Sequence, residues 1–198
     1  MNVPNKITIC RILLSIVLLL LMVFPIDKLG INFPEFQLAG KMIIDSKYLI
    51  CGVIFLIASL TDFLDGHLAR KYNMVTDMGK VLDAIADKIL VNGVLIILAV
   101  QGFIPAIIPV IIVSRDIIVD SIKMVAGRKS SAVGASKAGK IKTACMLTGI
   151  VILFFYDLPF SLFNVHISKF IIMFATIMSI ISGIQYYVKN KKFLTDDM

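Results

Sequence analysis

The chain has 198 residues, 59% hydrophobic and only 17% charged, with a formal net charge of +7. One domain spanning 1–198 fills that length. A water-soluble fold would have to bury several helices that are apolar all round, so the bilayer is the natural solvent. The positive balance in such a chain points to anionic head groups and phosphorylated substrates rather than to nucleic acid.

Six apolar segments follow in chain order, at about 20 residues per crossing of the hydrocarbon core. They run Asn5–Ile26, Tyr48–Arg70, Gly79–Val100, Phe103–Ala126, Lys140–Tyr156 and Ile167–Val188. The first has a basic start and an apolar centre, as a signal peptide does. The stretch Phe24, Pro25, Ile26, Asp27 offers no small-residue cleavage site, so it reads as a helix. Cys10, Cys51 and Cys145 lie in apolar segments without ligand spacing and read as small hydrophobes. The expectation is an all-α, polytopic membrane protein with six transmembrane helices in one bundle.

The basic residues set the orientation. One group of loops holds Lys6, Arg11, Arg70, Lys71, Lys80, Arg128, Lys129, Lys137, Lys140, Lys142, Lys189, Lys191 and Lys192. The opposite group holds only Lys28, Lys41, Lys47 and Lys169. The richer side is expected to be cytoplasmic, which puts both termini inside and agrees with an even number of spans. The Gly-, Ser- and Lys-rich stretch 127–139 reads as a cytoplasmic loop.

Four aspartates break the apolar pattern. Asp62 and Asp65 are three apart, and Asp83 and Asp87 are four apart, so each pair shares a helix face. Asp62 lies eight residues before Arg70 and Asp87 eight after Gly79, or about 12 Å of helix in each case. Two antiparallel helices then bring both pairs to one depth. Carboxylates gathered there repel unless neutralised, and oxygen-only ligands suit Mg²⁺ or Mn²⁺, with room for two ions that bridge phosphate oxygens. A cation transporter also places acids in a membrane, but it spreads them along a pathway rather than gathering them near one face.

The residues from Asp62 to Asp87 read D-x2-D-G-x2-A-R-x8-G-x3-D-x3-D. This pattern, with all eight fixed positions present, resembles the signature of the CDP-alcohol phosphatidyltransferases. Residues 2–11 and 139–143 resemble the branch of that family whose acceptor is sn-glycerol 3-phosphate. The resemblance implies transfer of a phosphatidyl group from CDP-diacylglycerol with release of CMP, in a homodimeric enzyme of the cytoplasmic membrane. It implies that Asp62, Asp65 and Asp83 hold the metal ions, and that Asp87 completes the site and acts as general base. The residues themselves leave the choice of base open, because coupled carboxylates share their titration. Gly66, Ala69, Arg70 and Gly79 match the positions that cradle the nucleotide. Asn5, Thr8 and Arg11 either assist there or serve as helix cap and interface anchor.

Arg115, in the middle of the fourth span, either pairs with Asp116 or Asp120 or lines a hydrated cavity. Arg115, Lys137 and Lys140 are the expected contacts of the acceptor phosphate. Such a cationic cluster favours a phosphorylated acceptor over serine or a neutral alcohol. It separates glycerol phosphate from inositol phosphate only weakly.

Overall fold

The computed structural model describes residues 3–25, 33–38, 42–72, 76–128, 136–163 and 165–195. Among these residues six α-helices carry the fold: α1 Val3–Val23, α2 Ser46–Lys71, α3 Asp77–Val100, α4 Ile107–Arg128, α5 Lys137–Phe154 and α6 Ile167–Thr195. Each expected apolar segment is a helix, with ends shifted by a few residues. A two-stranded antiparallel hairpin, β1 Glu35–Leu38 and β2 Met42–Asp45, stands between α1 and α2 and was not expected. Phe36 pairs with Ile44 across it.

Local chemistry sets the helix ends. Thr76 caps α3, its hydroxyl accepting the Gly79 N–H at 3.0 Å, and Ser136 caps α5 by accepting the Gly139 N–H at 3.0 Å. Each cap satisfies one of the donors that a first turn leaves open. The far end of α3 closes on Gly102, whose φ of 80° is open to glycine at little cost. There the Phe103 N–H reaches Leu98 O at 2.9 Å and the Gly102 N–H reaches Ala99 O at 3.1 Å. Helix α5 ends with the same pair of bonds around Tyr156, at φ 57°. The following Asp157 is buried and accepts from both the N–H and the hydroxyl of Ser168, at 2.6 and 2.7 Å, which anchors the start of α6.

Packing relies on glycine where helices meet closely. A methyl on Gly52 would stand 2.8 Å from Phe154 Cβ, and one on Gly149 would stand 2.7 Å from Ile172. Small residues at such points let backbones approach and add van der Waals contact that lipid cannot supply. The core runs through Leu18, Phe55, Leu95, Leu98, Ile112, Ile150, Phe154 and Ile172. Phe55 and Phe154 meet at 5.8 Å between ring centroids.

The surface is inverted relative to a soluble protein. Ser15, Ser179, Ser182 and Thr176 point inward and are buried, while Leu13, Val17, Leu60, Ile117 and Ile184 are more than half exposed. Among the described residues, three stretches are long and apolar enough to cross a membrane by length and composition: Asn5–Val23, Ser46–Gly66 and Ile167–Lys191. The other three helices are richer in charge, with Asp83, Asp87 and Lys88 on α3, Arg115, Asp116, Asp120 and Lys123 on α4, and Lys137, Lys140 and Lys142 on α5. Those charges lower their mean hydropathy.

At the end of the bundle away from the aspartates, aromatic groups tie the hairpin to the helices. Tyr48 packs edge-on to Phe103 at 5.0 Å and to Tyr156 at 6.4 Å. The Tyr156 hydroxyl accepts the Asp45 N–H at 3.0 Å.

Candidate active site

Helices α2 and α3 bring the first three aspartates together. Asp62, Asp65 and Asp83 each place a carboxylate oxygen within 4.8 Å of the others. Asp65 is buried, while the side chains of Asp62 and Asp83 are 42% and 56% exposed. This grading leaves the cluster open on one side. Asp87 stands one turn beyond Asp83 on α3, outside that cluster but lining the same cavity.

Helix α1 supplies the counter-charge. Arg11 is 2% exposed, and its guanidinium donates to Asp62 through Nη1 and to Asp83 through Nη2, the latter at 2.6 Å. Its Nη2 also lies 4.0 Å from Asp65 Oδ2, and its Nε is buried without a hydrogen-bond partner. One turn earlier the Thr8 hydroxyl donates to Asp65 Oδ2 at 3.0 Å. Another turn back, Asn5 Nδ2 donates to the Thr76 hydroxyl at 3.3 Å. Asn5, Thr8 and Arg11 thus form one stripe of α1 facing the acidic cluster. A methyl on Gly79 would stand 2.7 Å from Asn5 Oδ1 and 2.9 Å from Thr76 Oγ1, so only glycine leaves that contact undisturbed. Thr76 and Asp77, which fall between the second and third expected segments, are the cap and first residue of α3. Gly66 lies within α2 one residue after Asp65, and Ala69 and Arg70 follow on that helix with side chains outside the described structure.

A cavity of about 730 Å³ extends from Asp62, Asp83 and Asp87 to a second set of charges on α3, α4 and α5. Lys88, Arg115, Lys123, Lys140 and Lys142 line that far part, against Asp116 and Asp120. Of the two partners open to Arg115, the structure selects Asp116, at 2.9 Å. Lys142 reaches the same carboxylate at 2.9 and 3.0 Å. Asp120 instead pairs with Lys88 and lies 3.7 Å from Lys123. Two cations share Asp116 and two share Asp120, so this end keeps a positive excess. The cavity is therefore acidic at one end and cationic at the other.

Of the three residues expected to contact the acceptor phosphate, Arg115 and Lys140 line the cavity, while Lys137 is exposed at the start of α5 and does not. Sequence reading missed Lys88, Ser182 and Tyr186. Lys88 had a signal in its position next to Asp87. Ser182 and Tyr186 had one in their four-residue spacing, which places both on one face of the last helix.

Fold and site define a helical, membrane-type protein with a carboxylate cluster beside a cationic one. Residues 1–181 match the profile of the CDP-alcohol phosphatidyltransferases, and the chain belongs to that family. It is 35% identical over 189 residues to the CDP-diacylglycerol–glycerol-3-phosphate 3-phosphatidyltransferase of Bacillus subtilis, covering 96% of this chain and 95% of that one. It is 31% identical over 193 residues to the protein of that name from Rickettsia bellii, covering 97% of each. Its fold is like that of the phosphatidylinositol phosphate synthase of Mycobacterium tuberculosis in apo form, with a TM-score of 0.59 at 21% identity over 93% of this chain and 87% of that one.

Proposed function

We propose that this chain transfers the phosphatidyl group of CDP-diacylglycerol to sn-glycerol 3-phosphate, giving phosphatidylglycerol phosphate and CMP. The observation that carries this reading is the two-ended cavity, with a carboxylate cluster at one end and a cationic cluster at the other. A diphosphate needs cations that the acidic end can hold, and a phosphorylated acceptor needs the cationic end. Similarity to relatives named for this reaction extends over nearly the whole chain.

The donor set fits Mg²⁺ or Mn²⁺, since all its ligand atoms are carboxylate oxygens and two of the three carboxylates are open to the cavity. Asp62, Asp65 and Asp83 would hold two ions, with Asp87 completing the set. When bound, the ions neutralise the diphosphate and make CMP a better leaving group. Thr8 orients Asp65 through its 3.0 Å bond. Asp87 takes the proton of the acceptor hydroxyl as that oxygen attacks the β-phosphorus, so that one P–O bond forms while the bond to CMP breaks. Asn5, Thr8, Gly66, Ala69, Arg70 and Gly79 cradle the nucleotide, with Arg70 offering its planar fork to the diphosphate. Arg115 and Lys140 receive the acceptor phosphate, with Lys137 outside the cavity wall, and Lys142 joins them through Asp116.

The loop charges support six spans with both termini and the site on the cytoplasmic side of the cell membrane. The enzyme works as a homodimer, the state the family resemblance implies. The test supplies purified protein with CDP-diacylglycerol, Mg²⁺ or Mn²⁺, and a panel of acceptors: glycerol 3-phosphate, inositol phosphate, serine and phosphatidylglycerol. CMP release with glycerol 3-phosphate alone is expected. Release with another acceptor replaces the substrate assignment, and no release with any acceptor overturns the enzymatic reading.

A further inference from the structure

Arg115 does not stand alone at the cationic end. Its Nη1 is bonded to Asp116 and its Nη2 donates to the Ser182 hydroxyl at 2.7 Å. The guanidinium carbon lies 5.7 Å from the ring centroid of Tyr186, and Lys123 Nζ lies 5.5 Å from the same centroid. A methyl on Gly183 would meet Arg115 Cγ at 3.1 Å, so α6 offers the arginine stem a tight seat between Ser182 and Tyr186. The Tyr186 side of that seat is 5% exposed, and the ring lines the cavity. Its hydroxyl accepts the N–H of Ser136 at 3.0 Å, and Ser136 is the cap of α5. The first turn of α5 then brings Gly139 and Lys140 to the cavity wall, where a methyl on Gly139 would lie 3.8 Å from Arg115 Nη2.

Two cations drawn to one place repel each other, and an aromatic ring is one of the few neutral groups that attracts both. We propose that Tyr186 is a positioning residue for the acceptor phosphate. Its ring holds Arg115 and Lys123 converged, and its hydroxyl fixes the cap of α5 so that Lys140 meets them. The inference rests on the assignment of a phosphorylated acceptor to the cationic end. It adds that acceptor affinity is set by a side chain on α6 acting through α4 and α5.

The test measures the KM of glycerol 3-phosphate and of CDP-diacylglycerol for Tyr186→Leu, Tyr186→Phe and Arg115→Gln, and for Tyr186→Leu combined with Arg115→Gln. Phenylalanines of rising fluorine content are then placed at position 186, which weaken the ring's attraction for cations at nearly constant volume. Tyr186→Leu should raise the acceptor KM about tenfold and leave the lipid KM within about twofold. In the Arg115→Gln background the leucine should add less than it does alone, because only Lys123 and the cap of α5 then still depend on position 186. The acceptor KM should climb with each fluorine, a response that a packing role alone does not give. Tyr186→Phe separates the hydroxyl tie from the ring, and with the fluorine series it carries the test if the leucine variant does not fold. A flat fluorine series, an equal rise in both KM values, or an undiminished leucine effect beside Arg115→Gln overturns the role of Tyr186. If Arg115→Gln leaves the acceptor KM unchanged, the acceptor assignment falls, and this proposal with it. If Arg115→Gln raises that KM while the Tyr186 series stays flat, only the proposal falls.

Discussion

Replacing Arg11 by glutamine removes the one cation that α1 places among Asp62, Asp65 and Asp83. Two charge-assisted hydrogen bonds are lost, to Asp62 and to Asp83, each worth about 1.5–3 kcal/mol. The carboxylates of Asp62 and Asp83 are partly open to the cavity and can recover water, so the lower end applies. Asp65 is buried and gains little from hydration, although Thr8 still donates to it. The expected loss is about 3 kcal/mol without metal, a sizeable share of the stability of an ordinary domain. Divalent cations bound to the same carboxylates supply the missing charge, so the deficit should shrink as Mg²⁺ or Mn²⁺ is added. The assay is denaturant unfolding of the purified variant and parent in one detergent, with chelator and across a metal titration. A deficit of the same size at every metal concentration would refute the reasoning, because it would show that Arg11 stabilises by packing rather than by neutralising the cluster.

Other outcomes follow from the same geometry. Asp87→Asn should retain binding of the CDP-lipid while turnover falls to background, measured by nucleotide-lipid binding beside CMP release; near-normal turnover removes Asp87 from the role of base. Gly79→Ala should break the Asn5–Thr76 contact and weaken the cap of α3 at a cost of about 1 kcal/mol, read as lower stability together with a raised KM for CDP-diacylglycerol. Lys140→Gln should raise the acceptor KM well above the effect of Lys137→Gln, because Lys140 lines the cavity and Lys137 does not. Equal effects of the two would return the cluster to a general electrostatic role.

The helices were legible because an apolar run of bilayer length has few other ways to satisfy its backbone. The ends were less so: Thr76 and Ser136 read as loop residues until their hydroxyls are seen to cap α3 and α5. The hairpin escaped notice because four-residue strands carry little periodic signal, and what holds this one in place, the bond from Asp45 to Tyr156, spans 111 residues. The pairing of Asp62 with Asp65, and of Asp83 with Asp87, followed from helical spacing. That spacing did not reveal that Asp83 joins the first pair while Asp87 stands apart, since the offset between two helices is a tertiary property. Arg11 was read as an anchor or a nucleotide contact, with no hint of the carboxylates across from it on α2 and α3. Sequence distance also hid Tyr186, which meets Arg115 only because α4 and α6 pack together.

The position of Arg11 on the first helix bears on how such a chain comes to exist at all. Synthesis runs from the amino end, so α1 is made before α2 and α3. Arg11 lies in the first half of its helix, where a long side chain can lift its charge toward the head groups until a partner comes. When the helix bearing Asp62 and Asp65 follows, and then the one bearing Asp83, a guanidinium is already in place to receive them. Had the carboxylates stood on the first helix and the arginine on the last, the acids would have waited unpaired through most of assembly. The order of charges along the chain thus lets each acid meet a counter-charge made before it.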